Sequence, residues 1–309
     1  MHILVLAPDA YYQNWKNAFE KYGKAHQLYF DLEEGLAIAE KIDVLLLWKH
    51  PQGFLNRFKN AQVFYSMGAG VDHILSDPSY DFQTPVCRVI DPYMADDMGN
   101  FLLMAVLNYH RRMLEIQANE RQKNWDNTTL QNIPVRIGVM GMGHLGQAIA
   151  EKLHALKFPV VGYSNTAKTE LEYRCYGAAN MNQFLQEVNV IILLLPATPS
   201  TQGLLNREFF EKCHPGTYII NVARGPLVVI EDLIESVDQG QLSGALLDVF
   251  PEEPLPKTSP LWTHPKIQVT PHIASITAPE TAASQIFKNL EGFTLGNPLN
   301  YQVDLSKGY

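Results

Sequence analysis

Three short runs between Asn221 and Ala274 place a charged or titratable side chain beside glycine or proline, each just after an apolar stretch. They are Asn221-Val-Ala-Arg224-Gly225, Asp248-Val-Phe-Pro-Glu-Glu253-Pro and Pro271-His272-Ile-Ala274. An arginine holds an anion by a forked contact, and a histidine moves a proton near neutrality. A carboxylate beside the histidine ring favours its protonated form. Arg224, Glu253 and His272 therefore make a complete acid–base set. Its chemistry suits hydride reduction of an anionic carbonyl compound, because the developing alkoxide needs a proton and gains from a positioned cation.

A place for the hydride donor lies upstream, in Gly141-Met-Gly143-His144-Leu145-Gly146. The loop follows an apolar run, Val135–Met140, and opens a helical run, Leu145–Leu156. In that setting Gly141 permits the tight turn and Gly143 lets the backbone approach a pyrophosphate. Gly146 lets the helix pack on the strand, and the helix N-terminus presents free N–H groups to the anion. The next apolar run ends in Ser164-Asn165-Thr166-Ala-Lys168. No carboxylate stands there to hold a ribose 2′-hydroxyl, whereas hydroxyls, an amide and a lysine accept a 2′-phosphate. The stretch predicts NADP(H) in preference to NAD(H), a preference limited by the lack of an arginine.

Two series of β-rich runs must position these residues. The first is His2–Ala7, Gln27–Phe30, Asp43–Trp48, Val63–Ser66 and Val86–Ile90; a helix is predicted over Ala95–Gln117. The second is Val135–Met140, Val160–Tyr163, Val190–Leu195, Tyr218–Val222, Ala245–Val249 and Gln268–Thr270. Continuous apolar runs suit strands buried on both faces of a parallel sheet. The pattern predicts an α/β protein of two doubly wound parallel-sheet domains. A last helix is expected from Thr277, which would cap it in a Thr-x-x-Glu box with Glu280, Pro279 in the first turn, to about Gly292. The tail from Asn297 reads as irregular.

Composition narrows the partners. A chain of 309 residues, 46% apolar and 18% charged, is ordinary for a soluble two-domain protein. A formal net charge of -8 argues against non-specific nucleic-acid binding. Cys87, Cys175 and Cys213 have no paired spacing, and no CxxC or HExxH occurs, so free thiols and no metal are expected. The N-terminus lacks a basic leader and the longest apolar run, Val190–Pro196, is far too short for a bilayer. The expectation is a cytoplasmic protein with no membrane partner.

These residues resemble those of the D-isomer-specific 2-hydroxyacid dehydrogenases. The likeness rests on the glycine loop, Leu195-Pro196-x-Thr198, Asn221-Val222-Ala223-Arg224-Gly225, Leu247-Asp248-Val-Phe-x-x-Glu253-Pro and Pro271-His272. Within the family it is similar to the glyoxylate/hydroxypyruvate reductase A branch, on Leu47-Trp48, Met67-Gly-Ala-Gly-Val-Asp72, Pro254-Leu-Pro-x-x-Ser-Pro-Leu-Trp262 and Lys307-Gly-Tyr309. The resemblance implies a flavodoxin-like substrate domain, residues 1–96 with 277–309, a Rossmann cofactor domain, residues 97–276, and a cleft between. It implies cofactor contacts at Pro196, Thr198, Val222 and Ala223 and sets Asp248 against the nicotinamide carboxamide. Gly68, Ala69 and Gly70 would present backbone N–H groups to the substrate carboxylate, with Trp48 and Met67 in the pocket wall. It also implies a homodimer through the stretch Phe101–Arg112 and the Trp125 arm. The activity so implied is NADPH-dependent reduction of glyoxylate and hydroxypyruvate to D-hydroxy acids. Bulkier 2-oxo acids and a cofactor-sensing corepressor are the alternatives.

Overall fold

The computed structural model describes residues 1–7, 12–48, 50–127 and 131–305. In chain order its strands are β1 (His2–Leu6), β2 (Gln27–Tyr29), β3 (Val44–Leu47), β4 (Val63–Ser66), β5 (Val86–Arg88), β6 (Ile137–Met140), β7 (Val160–Tyr163), β8 (Cys175–Tyr176), β9 (Val190–Leu193), β10 (Thr217–Asn221), β11 (Leu242–Leu247) and β12 (Ile267–Val269). The α-helices are α1 (Tyr12–Tyr22), α2 (Leu32–Ala37), α3 (Asp72–Leu75), α4 (Pro92–His110), α5 (Met113–Arg121), α6 (His144–Ala155), α7 (Met181–Glu187), α8 (Arg207–Lys212), α9 (Ile230–Asp238) and α10 (Pro279–Thr294). The chain divides into two compact units, Met1–Met94 with Thr277–Tyr309, and Ala95–Ile276.

The first unit carries a five-stranded parallel sheet in the order β2-β1-β3-β4-β5. Side chains alternate across a strand, so its continuous apolar runs feed two cores at once. Ile3, Val5, Val44, Leu46 and Tyr65 pack with Trp15 and Phe19 of α1 and Ile286 and Phe287 of α10. Leu4, Leu45, Leu47 and Phe64 pack on the other face with Phe54, Ile74 and Tyr80. Leu47 pairs with Ser66, so the segments beginning at Trp48 and Met67 leave the sheet side by side at its C-terminal end.

The second unit carries seven parallel strands in the order β12-β11-β10-β9-β6-β7-β8. The strand order reverses at β6, which lies between β9 and β7, and this is where open α/β sheets bind ligands. Register then brings the motifs together. Leu193 pairs with Met140 and Asn221, Asn221 with Leu247, and Leu247 with Val269. The glycine loop and the Arg224, Glu253 and His272 runs therefore all leave at the C-terminal end of this sheet.

Several local readings are corrected. The helix predicted over Ala95–Gln117 is two helices, α4 and α5, broken where Arg112 takes a left-handed conformation with φ 57. The Arg112 guanidinium bonds Glu115 at 3.0 and 2.6 Å, a local pair that hydrophobic periodicity does not register. The capping box does not form. Ala278 is the N-cap of α10 without a side-chain bond, Thr277 is buried, and Glu280 reaches Lys21 of α1 at 2.7 Å. The two-residue β8 had no apolar run to announce it. Part of the tail read as irregular pairs with the sheet edge instead: Val303 N–H donates to Val86 O at 2.8 Å, and Gln302 bridges Cys87 antiparallel. Buried Asn289 of α10 fixes that segment by exchanging two 2.8 Å bonds with the Asn300 backbone. The terminal Lys307-Gly-Tyr309 lies outside the described residues. Among the described residues no helix is long and apolar enough to cross a membrane, and no group of three or more His, Cys, Asp or Glu could hold a metal ion.

Candidate active site

The loop after β6 has the backbone that a phosphate cradle needs. Gly141 has φ +110, and a Cβ there would lie 2.5 Å from Leu194 O. A Cβ on Gly146 would come within 1.8 Å of Gly141 O, so the helix can sit this close to the strand only as glycine. Gly143, the N-cap of α6, makes no side-chain cap bond, and a Cβ on it would meet nothing within 4 Å. The loop is thus tight inside and open where an anion would approach. His144 and Leu145 are the first residues of α6. One strand over, Ser164 Oγ donates to Thr166 O at 2.6 Å and shapes the turn that ends β7, while Asn165 and Thr166 are exposed and Lys168 half-buried. These residues fit a dinucleotide, and no acidic side chain from Ser164 to Lys168 opposes a 2′-phosphate.

His272 and Glu253 lie side by side. His272 Nδ1 lies 2.8 Å from Glu253 Oε2, and the other carboxylate oxygen accepts the Phe250 N–H at 3.0 Å. A carboxylate only accepts, so Nδ1 carries its hydrogen toward Glu253 and Nε2 is left to exchange a proton. The His272 side chain is 51% exposed. Its backbone is unusual, with φ 54 in the left-handed region that non-glycine residues seldom enter. Asp248 supports that conformation. Its backbone oxygen accepts the His272 N–H at 2.8 Å. Its buried carboxylate accepts from Thr270 Oγ1 (2.6 Å), Ile273 N–H (2.9 Å) and Ala274 N–H (2.8 Å). The side chain that the family resemblance sets against a carboxamide here holds the histidine loop.

Arg224 is set by two residues that sequence reasoning quoted without a role. Asn221 is buried at the end of β10; its amide donates to Arg224 O at 3.0 Å and its oxygen accepts the Ala223 N–H at 3.0 Å. A Cβ on Gly225 would lie 1.9 Å from the Phe250 carbonyl carbon, so glycine alone allows the arginine turn to lie against the Phe250–Pro251 backbone. Arg224 Nη1 donates to Ala223 O at 2.7 Å. Val222 and Ala223 are buried; Thr198 N–H donates to Thr201 Oγ1 at 2.8 Å, which in turn donates to Pro196 O at 2.6 Å.

The expected substrate residues lie in the first unit. Buried Ser66 donates to Gly70 O at 2.6 Å and accepts the Gly68 N–H at 3.3 Å. The glycine nest therefore narrows from three N–H groups to two: those of Ala69 and Gly70 make no hydrogen bond among the described residues. A Cβ on Gly68 would lie 3.3 Å from Trp48 Cζ3, so the indole rests on the glycine backbone; Met67 is fully buried.

An anion-accepting helix end at the switch point of a parallel sheet, in one unit with a paired histidine and an arginine, defines a dinucleotide-dependent oxidoreductase. Residues 103–274 match the family model described as D-isomer specific 2-hydroxyacid dehydrogenase, NAD binding domain. The chain belongs to the D-isomer specific 2-hydroxyacid dehydrogenase family. It is 38% identical over 281 residues to glyoxylate/hydroxypyruvate reductase A of Serratia proteamaculans, covering 86% of this chain and 88% of that one. Among solved structures, a family member from Xanthobacter autotrophicus Py2 in complex with NADPH and MES is similar at TM-score 0.89 and 34% identity, over 100% of this chain and 99% of that chain. So is an NADPH-dependent glyoxylate/hydroxypyruvate reductase from Sinorhizobium meliloti in complex with NADP and sulfate, at TM-score 0.92 and 30% identity over 100% and 99%.

Proposed function

We propose that this protein reduces small 2-oxo acids, chiefly glyoxylate and hydroxypyruvate, to D-2-hydroxy acids with NADPH. The observation that carries the reading is the 2.8 Å His272–Glu253 pair in the same unit as the glycine loop. When bound, NADPH supplies the hydride. His272 gives the proton from Nε2 to the carbonyl oxygen, and Glu253 holds the ring and balances its charge. Arg224 pairs with the substrate carboxylate and steadies the carbonyl. Gly141, Gly143, His144, Leu145 and Gly146 take the pyrophosphate; Ser164, Asn165, Thr166 and Lys168 take the 2′-phosphate. On the first unit, the Ala69 and Gly70 N–H groups and the Trp48 indole serve the substrate, while Met67, fully buried, does not line a pocket. The relatives named for glyoxylate and hydroxypyruvate, and the neighbours solved with NADPH or NADP, support both choices.

The test is steady-state turnover of a 2-oxo acid panel with each cofactor. Glyoxylate and hydroxypyruvate with NADPH should give the highest kcat/KM. A preference for phenylpyruvate-like acids would move the reading to a wider pocket, and tight NADPH binding without turnover would move it to a sensor. His272→Ala should lower kcat by about 10² to 10⁴, the range for losing a general acid, with NADPH affinity unchanged. We also propose a homodimer. Met104, Leu107 and Ile116 of α4 and α5 are partly exposed and Trp125 is 90% exposed, and Met and Trp are enriched at interface centres.

A further inference from the structure

The first unit contains a buried, hydrogen-bonded histidine–aspartate pair that the proposed chemistry does not use. His50 Nε2 lies 2.9 Å from Asp77 Oδ2, and both side chains are completely buried. Asp77 also accepts from Ser79 N–H at 2.7 Å, Ser79 Oγ at 2.6 Å and Gly53 N–H at 3.1 Å to each oxygen. Burial pushes the Asp77 carboxyl up, but the bonds from Ser79, Gly53 and His50 outweigh it and hold the group below its ordinary range. Burial holds the His50 ring below its usual range, against the pull of Asp77. The arrangement is a neutral imidazole donating from Nε2 to a charged carboxylate. His50 Nδ1 has no hydrogen-bond partner among the described residues.

A buried charged group with an orphaned nitrogen beside it is a costly way to pack two loops; apolar side chains of similar size do as well or better. What distinguishes this pair is its place. His50 stands two residues after Trp48 in the segment leaving β3, and Gly53, with φ 82, bends that segment back so that its N–H reaches the same carboxylate. Asp77 closes the segment that leaves β4 through Met67-Gly68-Ala69-Gly70 and passes over α3. The pair therefore ties the segment that bears the indole to the segment that bears the glycine nest. Those segments touch directly where Trp48 rests on Gly68. The indole also meets Trp15, with ring centroids 5.9 Å apart. His50 and Trp48 are separated by one residue, so where His50 is held bears on where the indole sits.

We propose that His50 and Asp77 are positioning residues that lock Trp48 over Gly68 and thereby set the width of the 2-oxo acid pocket. The proposal rests on the function proposed above. Its test is His50→Leu, which removes the donor, beside His50→Gln, whose amide can replace Nε2. For the leucine variant, KM for glyoxylate should rise on the order of 10-fold to 10²-fold, as a displacement of about 1 Å in a positioning group does. NADPH affinity should be unchanged, and the glutamine variant should recover most of the loss. In a Trp48→Phe background the His50→Leu effect on KM should largely vanish, because the pair acts through the indole. Hydrogen exchange of residues 50–58 should quicken in His50→Leu and stay slow in His50→Gln, whether or not the protein turns over glyoxylate. A wild type inactive on every 2-oxo acid overturns the proposed function, while the exchange comparison still decides the lock. Wild-type KM and exchange in His50→Leu would overturn the lock, and so would an undiminished KM effect in the Trp48→Phe background. Should the leucine variant not fold, Asp77→Asn carries the same comparisons.

Discussion

One Glu253 oxygen faces His272 Nδ1 and the other accepts the Phe250 N–H. The first fixes the tautomer and the second fixes the carboxylate, so the ring is oriented from the backbone upward. Arg224 is held in the same way, through Asn221 and the tight Gly225 turn. This bears on what a conservative change does. In Arg224→Lys the charge remains but the planar fork is lost. KM for glyoxylate should rise and kcat should fall together, as judged from full saturation curves. An Arg224→Lys enzyme with wild-type constants would remove the arginine from the substrate contacts. The residue types at these positions were legible in the sequence because each follows an apolar strand. The supporting hydrogen bonds of Asn221 and Thr270 were not, since a buried amide or hydroxyl at a strand end has no signature distinct from a turn residue.

Elements place these residues by register rather than by proximity in the chain. Leu193, Asn221, Leu247 and Val269 pair across β9 to β12, so three motifs spread over some fifty residues of sequence surface at the C-terminal end of one sheet. Gly225 shows how close the approach becomes. Gly225→Ala would set a Cβ 1.9 Å from the Phe250 carbonyl carbon and force the two turns apart. The expected cost is about 1–3 kcal/mol, as for overpacking a filled interior, together with a loss of turnover from the displaced Arg224. Urea unfolding and kcat on the same preparation check both; an alanine variant as stable and active as wild type would show that the turns are loosely held. Sequence periodicity found most of the strands, because burial on both faces makes apolar runs continuous. It missed the break at Arg112 and the capping of α10, where Arg112 pairs with Glu115 and Glu280 pairs with Lys21 of α1 instead of capping.

At the scale of the whole molecule, stability should carry the mark of His50. Its ring is held neutral by burial, so the folded chain takes up that proton only below the ordinary value of 6.5, whereas the unfolded chain takes it up there. Below about pH 6.5 the unfolded state then binds more protons, and stability falls as pH falls. The groups facing the ring are Asp77 and His73, whose ring centroid is 5.8 Å away. Asp77, with its carboxyl held low, stays charged across this window. The thermal midpoint of wild type should drop more steeply on acidification below pH 6.5 than that of His50→Gln; parallel curves would exclude the histidine as the cause. The proposed dimer is tested separately. Leu107→Glu with Met104→Glu should shift the particle seen by light scattering to monomer, and a wild type already monomeric would refute the interface.

The sequence by itself determined the chemistry available: a glycine loop for a dinucleotide, an arginine, a histidine and a carboxylate, and the apolar runs that make two parallel sheets. Those features are local, written in residue type and short spacing. Only the tertiary structure decided that Asp248 turns its carboxylate to the histidine loop, that Ser66 takes the Gly68 N–H, and that a buried His50–Asp77 pair ties the Trp48 segment to the glycine nest. Each of these joins or orients groups through long-range packing or burial, and burial is a property of the folded chain that no short stretch of sequence records.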